Sequence, residues 1–234
     1  QKLFGLDPER FGLTFDVALH MGTLLAVFLY FFRTWVGLVR DLLSGRWRVP
    51  LLLVIGTIPG AIAGVLLEGL VSRELRSPLL IAAMLVVGSA IFILAERLGT
   101  QRRGMGTLSF GDALLIGTAQ AIALVPGLSR SGMTISAGLG SGLRRGEATA
   151  FSFLLSTPII AGAGAKTLLD LRKASVLFEQ PGVVAVGFVV SFLAGLAAVS
   201  FLVRLLRGHT LAWFVPYRVA VAVAIVIAVA LGAL

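Results

Sequence analysis

The sequence contains no cysteine and few charged residues, and each shortage narrows what the protein can be. Without cysteine there are no disulfide bonds and no cysteine-ligated metal sites. Only 13% of the 234 residues are charged, whereas a soluble domain carries about a quarter. Acidic residues are the scarcer kind, with 11 Asp and Glu against 20 Lys and Arg.

The resulting net charge of +9 does not indicate a nucleic-acid partner. The basic residues lie between apolar blocks and form no basic stripe with interleaved aromatic residues. Basic residues in such positions orient a membrane protein instead. We therefore expect membrane lipids, and no nucleic acid, among the partners of this chain.

Apolar residues are abundant and run in blocks of about 20, the length that crosses roughly 30 Å of hydrocarbon. Hydrophobic residues make up 58% of the chain, and the mean hydropathy is +1.00. We predict an all-α polytopic membrane protein in which residues 1–234 form a single domain with six transmembrane helices. The predicted spans are Thr14–Phe32, Pro50–Leu70, Pro78–Ala95, Ala148–Leu169, Val183–Val203 and Trp213–Leu231.

The distribution of basic residues predicts the orientation of these spans, because cytoplasmic segments carry the excess of Lys and Arg. If the first span runs from outside to inside, most of the Lys and Arg residues that flank the spans lie in inside segments, and fewer lie in outside segments. The inside set is Arg33, Arg40, Arg46, Arg48, Arg97, Arg102, Arg103, Arg144, Arg145, Arg204 and Arg207, and the outside set is Lys2, Arg10, Arg73, Arg76, Arg172 and Lys173. Both termini are therefore predicted on the outer side of a bacterial inner membrane.

The two halves of the chain show weak internal similarity. A shift of 131 residues places Pro50 on Pro181, and small residues later in the same two helices also align. Three spans in each copy give the copies opposite orientations, which is the inverted-topology repeat of many transporters. We predict one half over residues 1–100 and the other over residues 110–234.

The segment Phe110–Leu143 differs from the six spans. It is apolar enough to enter the membrane, but the string Pro126–Gly132 divides it into pieces of about 15 and about 12 residues, too short to span. A break at membrane depth is tolerated only where protein or a wet cavity surrounds it. We therefore predict a re-entrant pair of half-helices over residues 110–143.

The string between these half-helices has the features of an anion-binding loop. Gly127 and Gly132 permit tight turns and a close backbone approach to a ligand. Arg130 carries a permanently charged fork that matches phosphate oxygens in pairs. The second half-helix directs free N–H groups and a positive dipole end at the break. In the alternative interpretation, Arg130 reaches toward a lipid headgroup and the serines only cap a helix; the high cost of an unpaired charge at membrane depth favours the anion site.

Other polar residues are weaker candidates. Asp16 and His20 lie four residues apart on one face of the first predicted span. They form either an Asp–His pair or an interfacial acid and a separate histidine bonded to another helix. Arg218 is predicted to anchor its span at the interface, with a role in the site as the alternative. Asp112 is predicted to cap or open the first half-helix.

At these residues the chain resembles a known family, the bacterial undecaprenyl-diphosphate phosphatases, also called bacitracin-resistance proteins. The string from Pro126 to Thr134 is similar to the family's Pro-Gly-x-Ser-Arg-Ser-Gly-x-Thr signature, and Gln120 stands before it. The resemblance runs across essentially the whole chain, and further similar blocks are Phe15–Gly22, Phe151–Pro158 and Tyr217-Arg218.

The resemblance implies hydrolysis of a polyprenyl diphosphate lipid, undecaprenyl diphosphate, to undecaprenyl phosphate and inorganic phosphate. This step recycles the lipid carrier for peptidoglycan synthesis. It also implies a site open to the periplasm and a divalent cation, Mg²⁺ or Ca²⁺, as cofactor. Arg130 corresponds to the diphosphate clamp, with hydroxyl groups around it. The candidate catalytic residues are Arg130 and Ser129, and the candidate substrate-binding residues are Gly127, Ser131, Gly132, Thr134 and Gln120.

The family's first signature, Glu-x-x-x-Glu-Phe-Leu-Pro-x-Ser-Ser-Thr-Gly-His, has no counterpart in this chain. In the family it supplies carboxylates and a histidine for acid–base chemistry and for the metal. The internal repeat places a second re-entrant segment at or before residue 1, where that signature belongs. We therefore expect this chain to be N-terminally truncated and inactive alone.

A polyprenyl-phosphate flippase or secondary transporter is the alternative function, because broken helices in inverted repeats are typical of transporters. A fold of this kind does not by itself decide between transport and hydrolysis. The sequence also leaves open whether the chain forms a homo-oligomer.

Overall fold

A computed structural model of the chain describes residues 8–67, 69, 75, 77–169 and 181–233, and in these ranges the side chains of residues 8–17, 166–169 and 183 are not included. Nine α-helices lie in the described residues. They are α1 (Pro8–Tyr30), α2 (Phe32–Leu43), α3 (Arg48–Leu66), α4 (Pro78–Leu98), α5 (Phe110–Ile122), α6 (Arg130–Gly140), α7 (Arg145–Leu169), α8 (Pro181–Gly208) and α9 (Val215–Ala230).

Five stretches of the described chain are helical, long and apolar enough to cross a membrane. They are α3, α4, most of α7, most of α8, and the range Leu211–Ala230, which joins a turn of 3-10 helix to α9. A sixth span results if α1 and α2 are taken together. The chain is therefore a multi-pass membrane protein, and the part that the structure describes consists of helices and their connections, as the sequence predicted.

The first predicted span differs from the structure at its C-terminal end. The helix breaks at Phe31, and α2 continues from there at an angle of 70° to the last part of α1. The sequence predicts a connecting segment here, because Arg33 and Arg40 lie in the stretch. Apolar side chains at helical spacing, such as Phe32 and Trp35, nevertheless allow the stretch to form an amphipathic helix.

The other spans match their predictions to within a few residues, except α8, which extends five residues beyond its predicted end at Val203. The predicted span over Pro50–Leu70 is helical as α3 to Leu66. Its last positions, residues 68 and 70, lie outside the described residues. Pro59 in α3 and Pro158 in α7 both lie inside helices, which membrane helices tolerate when neighbours satisfy the freed carbonyls.

The described residues divide into two compact units that alternate along the chain. Unit 1 consists of the described parts of Gln1–Arg40 and Ser156–Leu202. Unit 2 consists of the described parts of Asp41–Leu155 and Val203–Leu234. The predicted anion-binding loop belongs to unit 2, whereas Asp16 and His20 belong to unit 1.

In unit 1, α1 packs closely against α8. The Cα of Gly22 faces the backbone of Phe188 so closely that a side chain would not fit. The hydroxyl of Ser191 donates to the Leu19 carbonyl at 2.6 Å. An apolar groove of about 470 Å³ also lies in this unit, lined by Met21, Leu24, Phe28, Trp35, Pro158 and Phe188 among others.

In unit 2, the two half-helices α5 and α6 pack against each other and against the longer helices. On one side α5 packs on α3, where Gly117 contacts the backbone of Gly56. On the other side α6 packs on α4, and α4 in turn packs on α9. Small residues at such crossings allow helix backbones to approach closely in a membrane.

The start of α5 is fixed by a capping box. The Ser109 hydroxyl accepts from the Asp112 N–H, and the Asp112 carboxylate accepts from the Ser109 N–H. Arg103 also donates to this carboxylate at 2.8 Å. Burial raises the pKa of Asp112, but these hydrogen bonds outweigh it and hold the pKa below its ordinary value. The prediction that Asp112 lies in the first turn of the first half-helix is confirmed.

Candidate functional site

The break between α5 and α6 is a succession of tight turns that leads to Ser129. Three backbone N–H groups in it each donate to the carbonyl three positions back. Gly127 has a φ of +99°, a conformation that residues with side chains rarely adopt. Its Cα also lies so close to the Ile81 carbonyl and to Met84 that a β carbon would collide with α4. Both the backbone and the packing therefore require glycine at position 127.

Ser129 is the N-cap of α6 and has a positive φ of 71°. Its Oγ accepts a hydrogen bond from the Gly132 N–H at 3.3 Å, and its carbonyl accepts from the Met133 N–H at 3.0 Å. A non-glycine residue in this region of φ is strained, and strain of this kind concentrates at functional sites. The cap and the surrounding turns hold Ser129 in place against that strain.

Three backbone N–H groups at the start of α6 are available to a ligand. Those of Ser129, Arg130 and Ser131 donate to no acceptor within the part of the chain that the structure describes. The first turn of any helix leaves such donors free, because the acceptors that would precede them are absent. Together with the positive end of the helix dipole they favour an anion.

The Arg130 guanidinium is half-buried, and no carboxylate or carbonyl of the described residues accepts a hydrogen bond from it. The Ser131 hydroxyl is likewise half-buried, with no partner in the described chain.

The described acidic residues of unit 2 all bind other groups: Asp41 binds Arg46, Glu96 binds Arg145, Asp112 binds Arg103, and Glu147 binds the Met105 N–H. The loop therefore presents positive charge that no described carboxylate neutralises.

Gly132 places the first turn of α6 directly on α4. A β carbon at this position would overlap the ring of Phe92. Gly132 is itself buried, and its close packing on α4 positions the turn that carries Arg130. Its predicted contact with the substrate stays a prediction. Phe92, whose ring limits how closely the two helices approach, has no distinguishing signal in the sequence of its apolar helix.

Thr134 and Gln120, both predicted to bind substrate, are each only 1% exposed. The Thr134 Oγ1 lies within hydrogen-bond distance of the Arg130 and Ser131 carbonyls, at 3.0 and 3.1 Å, and of the Ser152 Oγ at 2.5 Å. Thr134 therefore stabilises the first turn of α6. The amide group of Gln120 has no partner for its oxygen or its nitrogen in the described chain.

Arg218 is not the interfacial anchor that the sequence predicted. Its side chain is 4% exposed and lies between α9, α4 and the loop. Its Nε donates to the Ser89 Oγ at 3.1 Å, and its Nη2 donates to the Gly127 carbonyl at 2.7 Å. Sequence reasoning missed Ser89 altogether, and the only local signal was a Gly88-Ser89 pair inside an otherwise apolar helix.

Asp16 and His20 both lie on α1, as predicted. The side chain of Asp16 lies outside the described residues, and the side chain of His20 is exposed. The predicted Asp–His pair therefore stays a prediction. Within the described residues, no three side chains among His, Asp and Glu are close enough together to hold a metal ion.

Comparison with known proteins shows which family shares this sequence. The chain matches the family model described as bacitracin resistance protein BacA over residues 1–224. Proteins named undecaprenyl-diphosphatase are similar to it along most of their length. The relative from Rubrobacter xylanophilus is 42% identical over 95% of this chain and 85% of its own. Those from Desulforudis audaxviator and Trichlorobacter lovleyi are 40% and 43% identical, over 96% and 95% of this chain and 85% of their own.

Proposed function

The chain belongs to the bacitracin resistance protein BacA family, and we propose that it is an integral membrane hydrolase that acts on undecaprenyl diphosphate. The products are undecaprenyl phosphate and inorganic phosphate. In a bacterium, this reaction returns the lipid carrier to peptidoglycan synthesis and gives resistance to bacitracin. The observation that carries the proposal is Arg130, a half-buried cation with no acidic partner in the described chain, at the N-terminal end of α6.

The start of α6 matches the charge of a diphosphate head. The Arg130 guanidinium can bind two phosphate oxygens at once, and the free N–H groups of Arg130 and Ser131 can bind a third. Hydrolysis breaks the bond between the terminal phosphorus and the bridging oxygen while water attacks that phosphorus. Donors that are already in place stabilise the charge of the transition state, because they need not reorganise during the reaction.

Ser129 can contribute to the same anion site through its proton. Its Oγ accepts the Gly132 N–H, and this leaves the hydroxyl proton free for a phosphate oxygen. Ser131, whose hydroxyl has no partner in the described chain, can donate in the same way. Thr134 acts indirectly, since it holds the carbonyls of the turn that carries these groups.

The substrate is a lipid, and the surface of the spanning helices suits it. Large apolar side chains are exposed along α3, α4, α8 and α9, where they face the hydrocarbon of the bilayer. A polyprenyl tail can remain in that hydrocarbon while the diphosphate head enters the loop. The substrate therefore need not leave the bilayer for the aqueous phase to reach the loop.

The described part of the loop offers no ligand set for a divalent cation. The described residues group no three acidic or histidine side chains, and the loop presents Arg130 and backbone N–H donors rather than oxygen ligands. Hard cations such as Mg²⁺ require carboxylate, carbonyl or water oxygens. The described residues thus do not fit a resident cation at the loop.

The proposed topology places the loop inside a bacterial inner membrane, with the site open to the periplasm. Helices α5 and α6 have 13 and 11 residues, which correspond to about 20 Å and about 16 Å at the α-helical rise. Neither crosses a hydrocarbon layer of roughly 30 Å, and this supports a re-entrant pair. The shift that aligns Pro50 with Pro181 places them near the starts of α3 and α8, which supports an inverted repeat.

Phosphate release in detergent micelles tests the proposed activity. The protein expressed from its complete gene is purified and supplied with undecaprenyl diphosphate, and inorganic phosphate is measured over time. We expect phosphate and undecaprenyl phosphate in equal amounts. The absence of phosphate, together with transbilayer movement of undecaprenyl phosphate in liposomes, would instead establish a flippase.

A further inference from the structure

Arg218 is a buried cation that binds only neutral groups. Besides the Ser89 hydroxyl, its acceptors are the backbone carbonyls of Leu85, Gly127 and Leu128, at 3.2, 2.7 and 3.5 Å from Nη2. The Phe92 ring lies 4.8 Å from its Cζ. No carboxylate in the described chain approaches it. A charge in such a position is expensive in a membrane protein, and its usual justification is functional.

Two of these acceptors belong to the anion-binding loop itself. In a trans peptide unit the carbonyl and the following N–H point in opposite directions, and the described chain contains no cis peptide bond. Because the Leu128 carbonyl is directed at Arg218, the Ser129 N–H is directed away from it. The Ser129 N–H is one of the free donors at the start of α6.

The space around the guanidinium is closely fitted. A β carbon on Gly88 would lie 2.5 Å from Nη2 of Arg218 and 3.0 Å from the Leu128 carbonyl. The Ser89 Oγ accepts from Nε while donating to the Leu85 carbonyl at 2.7 Å. Helix α4 thus supplies both the room and an oriented acceptor for Arg218.

From these contacts we propose that Arg218 is a positioning residue for the anion site. By binding the Gly127 carbonyl at 2.7 Å and contacting the Leu128 carbonyl at 3.5 Å, it holds the turn so that the Ser129 N–H faces the bound phosphate group, and it supports Ser129 in its strained conformation. Arg218 itself does not touch the substrate. This inference rests on the proposed hydrolase function, because it assigns the same loop to a diphosphate.

The test uses Arg218→Met and Arg218→Lys in the protein expressed from its complete gene. Binding of inorganic pyrophosphate is measured by calorimetry, and kcat and KM are measured separately for a short prenyl diphosphate. For Arg218→Met we expect kcat to fall about 100-fold, the typical loss for one misplaced transition-state donor, with weaker pyrophosphate binding. Lysine lacks the fork that reaches several carbonyls, so it should restore little of either.

Arg48 provides a matched control, since its Nη2 also donates to a backbone carbonyl, that of Leu108, at 3.0 Å. Arg48→Met should lower thermal stability while leaving kcat and pyrophosphate binding unchanged. Ser89→Ala is the milder variant in case Arg218→Met does not fold. It removes one of the acceptors of Arg218 and the Ser89 hydrogen bond to the Leu85 carbonyl but leaves the contacts of Nη2 with the loop, so we expect a smaller loss of kcat in the same direction.

The outcomes distinguish the positioning role of Arg218 from the hydrolase function on which it rests. A folded Arg218→Met or Ser89→Ala protein with unaltered kcat and pyrophosphate affinity overturns the positioning role. If the protein without substitutions binds pyrophosphate but releases no phosphate from the prenyl diphosphate, the hydrolase function is overturned. In that case weaker pyrophosphate binding by Arg218→Met still supports the positioning role, and equal binding contradicts it.

Discussion

Gly132, in the first turn of α6, lies directly against the ring of Phe92 on α4. We therefore predict that Gly132→Ala destabilises the protein by roughly 1–3 kcal/mol, the usual cost of overpacking a filled interface. It should also lower phosphatase activity, because the displaced turn carries Arg130. Thermal unfolding in detergent and phosphate release measure the two effects.

Gly140, at the other end of α6, is the control for that substitution. Nothing lies within 4 Å of the position that its β carbon would occupy. Gly140→Ala should leave stability and activity unchanged or slightly improved. Equal stability of Gly132→Ala and Gly140→Ala would show that Phe92 does not constrain the turn.

The α3–α5 crossing yields a second prediction. A β carbon on Gly117 would meet the backbone of Gly56, which cannot move aside as a side chain can. Gly117→Ala should therefore force the half-helix away from α3 and lower the unfolding temperature. Gly64→Ala, on the same α3 in open space, should have little effect. A Gly117→Ala protein as stable as the Gly64→Ala protein would contradict this packing.

The cap residue of α6 gives a third prediction. Ser129 combines a positive φ with a capping hydroxyl, and these two features respond differently to substitution. Ser129→Gly removes the cap but relieves the backbone, whereas Ser129→Ala removes the cap and keeps the strain. We expect the unfolding temperature of the glycine variant to exceed that of the alanine variant. The reverse order would mean that Ser129 is not strained.

An ion pair distant from the loop gives a fourth prediction. Glu96 accepts from Arg145 at 2.7 Å and from the Leu211 N–H at 2.8 Å, and its side chain is only 7% exposed. Glu96→Gln leaves Arg145 without a carboxylate, and we expect a loss of about 1.5–3 kcal/mol. The unfolding temperature measures this, while KM for the prenyl diphosphate should stay unchanged.

The pair Asp41–Arg46 is the exposed counterpart of that ion pair, with side chains 36% and 71% exposed. Solvent screens such pairs, and they contribute about 0–1 kcal/mol. Asp41→Asn should therefore have almost no effect on the unfolding temperature. If Asp41→Asn and Glu96→Gln destabilise the protein equally, burial does not distinguish the two pairs.

Local features of the loop were predictable from the sequence. Apolar length identified the spans, and the Pro126–Gly132 string identified the break between two short helices. The acid Asp112 and the free end of α6 follow from rules that involve only a few neighbouring residues. Such rules need no knowledge of tertiary packing.

The role of Arg218 could not be predicted in this way. Locally it follows Pro216 and Tyr217 at the start of an apolar helix, which is the usual context of an interfacial anchor. Its burial depends on α9 packing against α4 and on the Gly127 carbonyl, 91 residues earlier in the chain. Likewise, Thr134 resembles a ligand-binding hydroxyl in sequence until Ser152, 18 residues later, is seen to bond to it.

Arg130 provides the most direct test of the account, because its guanidinium has no acceptor in the described chain that a substitution would leave unpaired. In the protein expressed from its complete gene, we predict that Arg130→Ala abolishes phosphate release from a short prenyl diphosphate. Its unfolding temperature should remain at or above that of the unaltered protein, since the substitution removes a half-buried charge that has no partner in the described chain. Near-normal turnover by a folded Arg130→Ala protein would contradict the assignment of this loop as the diphosphate site.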